Sequence, residues 1–97
     1  MIKRQALKDG SVKVTFVLPH DPAQPRISVV GDFNDWDANA TPLVKRNNDT
    51  RSASVTVEGG KRYSFRYYAE DGAWFNDEEA DAYELSEHGS QNAVLVC

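Results

Sequence analysis

Cysteine is almost absent from this sequence. The one thiol, Cys97, has no partner within the chain, so an internal disulfide framework is excluded. Basic residues are outnumbered, 11 Lys and Arg against 15 Asp and Glu, for a net charge of −4. Without a basic excess there is little to displace counterions from phosphates, which argues against nucleic acid or an anionic membrane as partner. No apolar run approaches the ~20 residues that cross a bilayer. The opening stretch MIKRQALKDG lacks the apolar centre of a secretory signal. The expectation is therefore a cytoplasmic protein with no membrane partner. Two Asn-x-Thr sequons, at Asn39 and Asn48, are read in that setting as chance. Histidine is scarce too. His20 and His88 each lie in a loop-like segment, and nothing places a nucleophile beside either.

What is present describes an ordinary globular chain. Its 97 residues are 40% hydrophobic and 27% charged, which fits one small domain over residues 1–97. Val12, Val14, Phe16 and Leu18 alternate with Lys13, Thr15 and Val17, the period of a strand with one core face. Prolines at positions 19, 22 and 25 stop it. Residues 26–33 form a second, β-branched strand, 43–46 a short third, and 52–58 a fourth with Ala53, Val55 and Val57 on one face. Gly59-Gly60 turns the chain. Residues 61–70 put Tyr63, Phe65, Tyr67 and Ala69 on one face and Ser64, Arg66, Tyr68 and Glu70 on the other. Asp71-Gly72 marks a hairpin, and 93–96 closes the fold. Short strands separated by turns predict an all-β sandwich. Residues 77–88 have few apolar side chains and read as a loop or a single turn.

The acids give no catalytic pattern. Asp35, Asp37 and Asn39 begin like a calcium loop, but its sixth position needs glycine and its twelfth glutamate; those are Ala40 and Arg46. No metal or other cofactor is expected, and no enzymatic activity. Asp32, Asp35, Asp37, Asp77, Glu78, Glu79 and Asp81 read as loop caps and solubilising charges. The aromatics carry more. Trp36 and Trp74 each follow a strand amid polar residues. Each could fold back as a lid on the core. Alternatively, each could present an exposed ring flanked by hydrogen-bonding groups, the build of a site for a sugar. In the stretch GDFNDWDANATP, Phe33 is the core candidate, continuing the alternation of Ile27, Val29 and Gly31. Asn34, Asp35 and Asp37 shape the turn, which leaves Trp36 to face outward. Arg66 is either a solvated strand residue or part of the same surface.

Three segments together, GDFNDW (31–36), YSFRYYAEDGAWFNDEEADAY (63–83) and HGSQNAVLV (88–96), resemble the isoamylase early-set domain family. Its relatives include the glycogen-binding module of the AMP-activated protein kinase β subunit and the N-terminal modules of glycogen branching and debranching enzymes. The resemblance implies an immunoglobulin-like sandwich of the early-set type with an α-glucan site on its surface. By position it implies Trp36 and Trp74 as the sugar platform, Arg66 as the basic residue contacting hydroxyls, and Ser90 and Asn92 as the late polar pair. It also implies a non-catalytic module for glycogen, starch or maltooligosaccharides, as a monomer or weak homodimer. The same tryptophans would serve the alternative, a protein-interaction module recruited to a glycogen-metabolism enzyme. Two departures stand out: the turn 70–74 differs in length from the kinase pattern, and His88 occupies a position that is usually apolar.

Overall fold

The computed structural model describes residues 1–86 and 89–97. Nine strands run through them: β1 (Ile2–Ala6), β2 (Ser11–Pro19), β3 (Ile27–Gly31), β4 (Val44–Lys45), β5 (Thr50–Glu58), β6 (Arg62–Ala69), β7 (Trp74–Phe75), β8 (Ala82–Leu85) and β9 (Gln91–Val96). A single 3-10 turn, Asp32–Asn34, follows β3. One sheet has the order β1-β2-β5-β4; the other has β3-β6-β9-β8, with β7 also paired to β6, and all pairings are antiparallel. The two sheets form an immunoglobulin-like β-sandwich.

Alternation explains which face goes inside. Val14 and Phe16 of β2 are fully buried, with Val12 and Leu18 packed beside them. From the opposite sheet come Phe65, Tyr67 and Ala69 of β6 and Ala93 and Leu95 of β9. The ring of Phe16 is the centre of this layer, 5.1 Å from Phe65, 5.7 Å from Phe33 and 6.3 Å edge-on from Tyr67. Such tilted and edge-on pairs suit the ring quadrupoles. Ser64, Arg66 and Tyr68 take the other side of β6. That outer face is not simply wet. Val30 and Val94, which point to it by register opposite Arg66 and Ser64, are buried and lie outside the main core cluster.

Four expectations need correction. Residues 82–85 form a strand rather than a loop or turn; β8 is an edge, and three of its four residues are exposed, so it never needed an apolar stripe. The second strand ends at Gly31, and Phe33 reaches the core from the 3-10 turn rather than by continuing the alternation. Asp32 is no solubilising charge, as described below. Asp77 is 4% exposed and accepts a hydrogen bond from the Tyr67 hydroxyl at 2.6 Å. A second acceptor role fixes it further, because its Oδ1 takes the Glu79 N–H at 2.8 Å.

Arg51 is the other buried charge, 8% exposed. Its guanidinium donates to the carbonyls of Asp21, Gln24 and Pro25 at 3.2, 3.1 and 2.7 Å, and Nε donates to His20 Nδ1 at 3.0 Å. The connection from β2 to β3 is thereby wrapped around one side chain. Carbonyl dipoles satisfy the donors that burial would otherwise leave without water.

Burial, and secondly the Asp77 carboxylate, push the Tyr67 phenol far above the ordinary tyrosine value of 10.0. The unfolded chain therefore releases a proton above 10.0 that the folded chain keeps. Stability falls as pH rises past that point, by about 1.4 kcal/mol per pH unit from this group. Tyr67→Phe is expected to be about 1 kcal/mol less stable at neutral pH, because Asp77 loses a donor. The variant should also lack this alkaline slope. Urea unfolding of both proteins on either side of that pH checks it; equal slopes would show that Tyr67 does not titrate in this way.

Candidate functional site

The site begins at a close approach. Gly31 lies so near β6 that an added Cβ would stand 2.5 Å from the Ser64 carbonyl oxygen and 2.8 Å from Phe65 Cβ. Beyond it the chain winds into the 3-10 turn, which Asn34 ties down. The Asn34 Oδ1 accepts from the Gly31 N–H, and Nδ2 donates to Val29 O and Thr41 Oγ1, all at 3.0 Å. Asp37 shapes the next stretch by accepting the Asn39 N–H at 2.8 Å. Asp35 and Trp36 both have φ of 56°, in the left-handed region. For a tryptophan this is an uncommon conformation and costs about 1–3 kcal/mol.

Three bonds hold it there. The Trp36 N–H donates to Gly31 O at 3.0 Å, and the indole Nε1 donates to Asp32 Oδ1 at 2.9 Å. The second oxygen of Asp32 accepts the Ser64 N–H at 2.8 Å. One carboxylate thus fixes the Trp36 ring to the backbone of β6. The ring is half-exposed.

Trp74 arrives by a different route. The Asp71-Gly72 hairpin returns the chain along β6, with Ala69 N–H donating to Ala73 O at 2.8 Å and Gly72 at φ 94°. This puts Trp74 opposite Tyr68, their rings 4.7 Å apart at 52°. Arg66, two residues earlier on the same face, places its Cζ 5.7 Å from the Trp74 ring centre. That is within cation–π range. The changed length of the 70–74 turn does not remove Trp74 from this surface.

All five residues expected from the sequence, Trp36, Arg66, Trp74, Ser90 and Asn92, line one hollow of about 730 Å³ on the outer face. Asp32, Ser64, Glu84 and Leu85 line it as well and were not expected there. Ser64 shares the Arg66 face of β6 by alternation, a signal the sequence did carry. Glu84 required β8: it lies opposite Asn92 and accepts the Ser64 hydroxyl at 2.5 Å. His88 lies outside the described residues.

The electrostatics centre on Arg66. Its Nε is buried with no hydrogen-bond partner, and among the described residues its guanidinium makes no ion pair. The two carboxylates in the lining are committed elsewhere, Asp32 to Trp36 and Ser64, and Glu84 to Ser64. A buried donor left without water or partner is costly, and a ligand oxygen would recover that loss by drawing the guanidinium toward the hollow. Two half-exposed indoles beside an uncommitted guanidinium, an amide and hydroxyls make an apolar platform with convergent polar groups.

The model for Carbohydrate-binding module 48 (Isoamylase N-terminal domain) matches residues 6–86. The chain belongs to this family. Among curated relatives, the 1,4-alpha-glucan branching enzyme GlgB of Aquifex aeolicus (strain VF5) is 31% identical over 87 residues, which is 87% of this chain and 14% of that protein. The corresponding enzyme of Burkholderia pseudomallei (strain 668) is 40% identical over 67 residues, 67% of this chain and 9% of that protein. This family 48 module therefore spans a small part of the length of the relatives it matches.

Asp32 is the positioning residue of the module's Trp36. Asp32→Ala is expected to free the indole and cost about 2 kcal/mol of stability, since it removes the acceptor of two hydrogen bonds. Trp36 fluorescence should then lose the constraint of a fixed ring, read as lower anisotropy in a Trp74→Phe background. Unchanged anisotropy would mean that other contacts hold the ring.

Proposed function

We propose that this chain is a non-catalytic module that binds α-glucan: glycogen, starch-like chains or maltooligosaccharides. The observation that carries this is Arg66, an uncommitted guanidinium with a buried Nε, in a hollow shared by two half-exposed tryptophans. The apolar C–H face of a pyranose suits the indoles, and its hydroxyls offer acceptors to Arg66 and both donors and acceptors to Asn92 and Ser90. The relatives named as 1,4-alpha-glucan branching enzymes support the choice of glucan. The surface is open and its contacts few, so affinity belongs in roughly the micromolar to millimolar range. In this reading residues 1–97 act as one unit, monomeric or weakly dimeric, in the cytoplasm.

One feature favours the competing reading, a protein-interaction module serving a glycogen-metabolism enzyme. Leu85 is 74% exposed on the edge strand β8, and exposed edges recruit partners. Titration with maltoheptaose separates the two. Glucan binding is expected to shift tryptophan fluorescence and the amide signals around Trp36 and Trp74. The absence of any shift at millimolar sugar would defeat it and leave the protein-partner reading.

A further inference from the structure

We propose that the glucan track continues beyond Trp74 into a second subsite on the same face, formed by Arg26, Ser28, Asn39, Tyr68 and Glu70. The inference rests on the glucan reading above and extends it to the length of chain recognised. Tyr68 is the link. Its ring packs on Trp74 at 4.7 Å, and in register it lies opposite Ser28 of β3 on the outer face. Past that pair lies a notch of about 50 Å³, lined by Arg26, Ser28, Ala38, Asn39, Tyr68 and Glu70. The loop that carries Trp36 supplies one wall through Ala38 and Asn39. The main hollow and the notch are thus flanked by the same two segments, the loop after β3 and the outer side of β6.

The notch gathers hydrogen-bonding groups that no other described residue engages. Several exposed acids elsewhere serve the turns they occupy, while Asp35, Asp49 and Glu78 make no side-chain bond to any described residue. Asp9 accepts from Ser11, Asp21 from Ala23, Asp37 from Asn39 and Asp71 from Ala73. In the notch, the Arg26 guanidinium, Ser28 hydroxyl, Asn39 carboxamide, Tyr68 phenol and Glu70 carboxylate have no hydrogen bond or ion pair to any described residue. Arg26 and Glu70 stay unpaired even though their backbones are joined, Glu70 N–H to Arg26 O at 2.9 Å. Ser28 is 5% exposed, and its hydroxyl keeps that small opening onto the notch.

The chemistry of the notch selects a class of ligand. One positive and one negative side chain cancel, so neither an anion nor a cation is favoured. Donors and acceptors both line a small space, together with an aromatic ring. The volume admits a hydroxyl or hydroxymethyl group with its water, since one water occupies about 30 Å³ of liquid. It does not admit a whole sugar ring. The fitting occupant is the neutral, hydroxyl-bearing rim of a sugar unit that lies across Tyr68 while the preceding units lie over Trp74 and Trp36. The ligand is therefore an extended α-glucan chain, longer than the main hollow alone would hold.

Calorimetric titration with maltotriose and maltoheptaose tests this on the wild type and on the double variant Asn39→Ala/Glu70→Ala. The wild type is expected to bind maltoheptaose about tenfold more tightly than maltotriose, the gain from one or two net hydrogen bonds and stacking on Tyr68. The double variant should keep maltotriose affinity and lose most of that preference. Arg26→Met should behave likewise, and it covers the case in which the double variant fails to fold. A preference that survives in the variants, or is absent from the wild type, overturns the subsite. Loss of maltotriose binding in the variants also overturns it, by placing these residues in the main hollow. Failure of the wild type to bind either sugar defeats the proposed function itself.

Discussion

Trp74→Ala is expected to weaken maltoheptaose binding about thirtyfold while leaving the sandwich folded. That factor corresponds to the ~2 kcal/mol that a tryptophan anchor carries when truncated. Two contacts disappear together. The platform ring itself goes, and with it the surface that Arg66 faces at 5.7 Å. Tyr68 loses its partner as well. The effect on stability is smaller, about 1 kcal/mol, because Trp74 is 43% exposed and ends a two-residue strand. Calorimetric titration beside a thermal unfolding curve separates the two effects. Affinity within twofold of wild type would remove Trp74 from the site.

The second large effect is expected at Gly31. A methyl group there would stand 2.5 Å from Ser64 O, a backbone atom that cannot rotate away. Strands β3 and β6 must separate, at a cost of about 3 kcal/mol on the scale of overpacked interiors. For a chain of this size that lowers the unfolding midpoint by on the order of 15 °C. Gly31→Ala should also impair the hollow. Moving β6 displaces the Ser64 N–H that Asp32 accepts, and Asp32 orients Trp36. A variant with wild-type melting would show that the strands accommodate the methyl group by a shift too small to matter.

Much of this architecture was legible in the sequence. Strand β6 announced itself through Tyr63, Phe65, Tyr67 and Ala69, and β2 through Val12, Val14, Phe16 and Leu18. The Asp71-Gly72 hairpin was readable for the same local reasons. Strand β1 was not. Its inward positions by register, Ile2, Arg4 and Ala6, include one large apolar residue, and Arg4 instead pairs with Asp81. Edge strand β8 hid for the same reason. Asp77 read as a surface charge, and Arg51 gave no signal at all, because their partners, a phenol 10 residues away and carbonyls 26 to 30 residues away, meet them only in the fold.

The site divides along similar lines. Arg66, one of several mid-strand cations, gained its role from the family resemblance, whereas Trp36 and Trp74 stood out as large rings amid polar residues. Asp32 and Glu84 did not, since a carboxylate in a loop or on an edge is common. Their roles depend on Ser64, which brings both to one place.

The Arg51 clamp has a further meaning for how this chain tolerates change. Three of its four acceptors are main-chain carbonyls, a chemistry every residue type offers. The tie recognises the path of the 20–25 connection and is blind to most of its side chains. Pro22 and Ala23 contribute no side-chain bond and are exposed. That stretch is a place where substitutions can accumulate silently. A dye or affinity tag attached there would lie at the end of β3 remote from Trp36, next to Arg26 of the notch, and would report on occupancy of that notch rather than on the tryptophans.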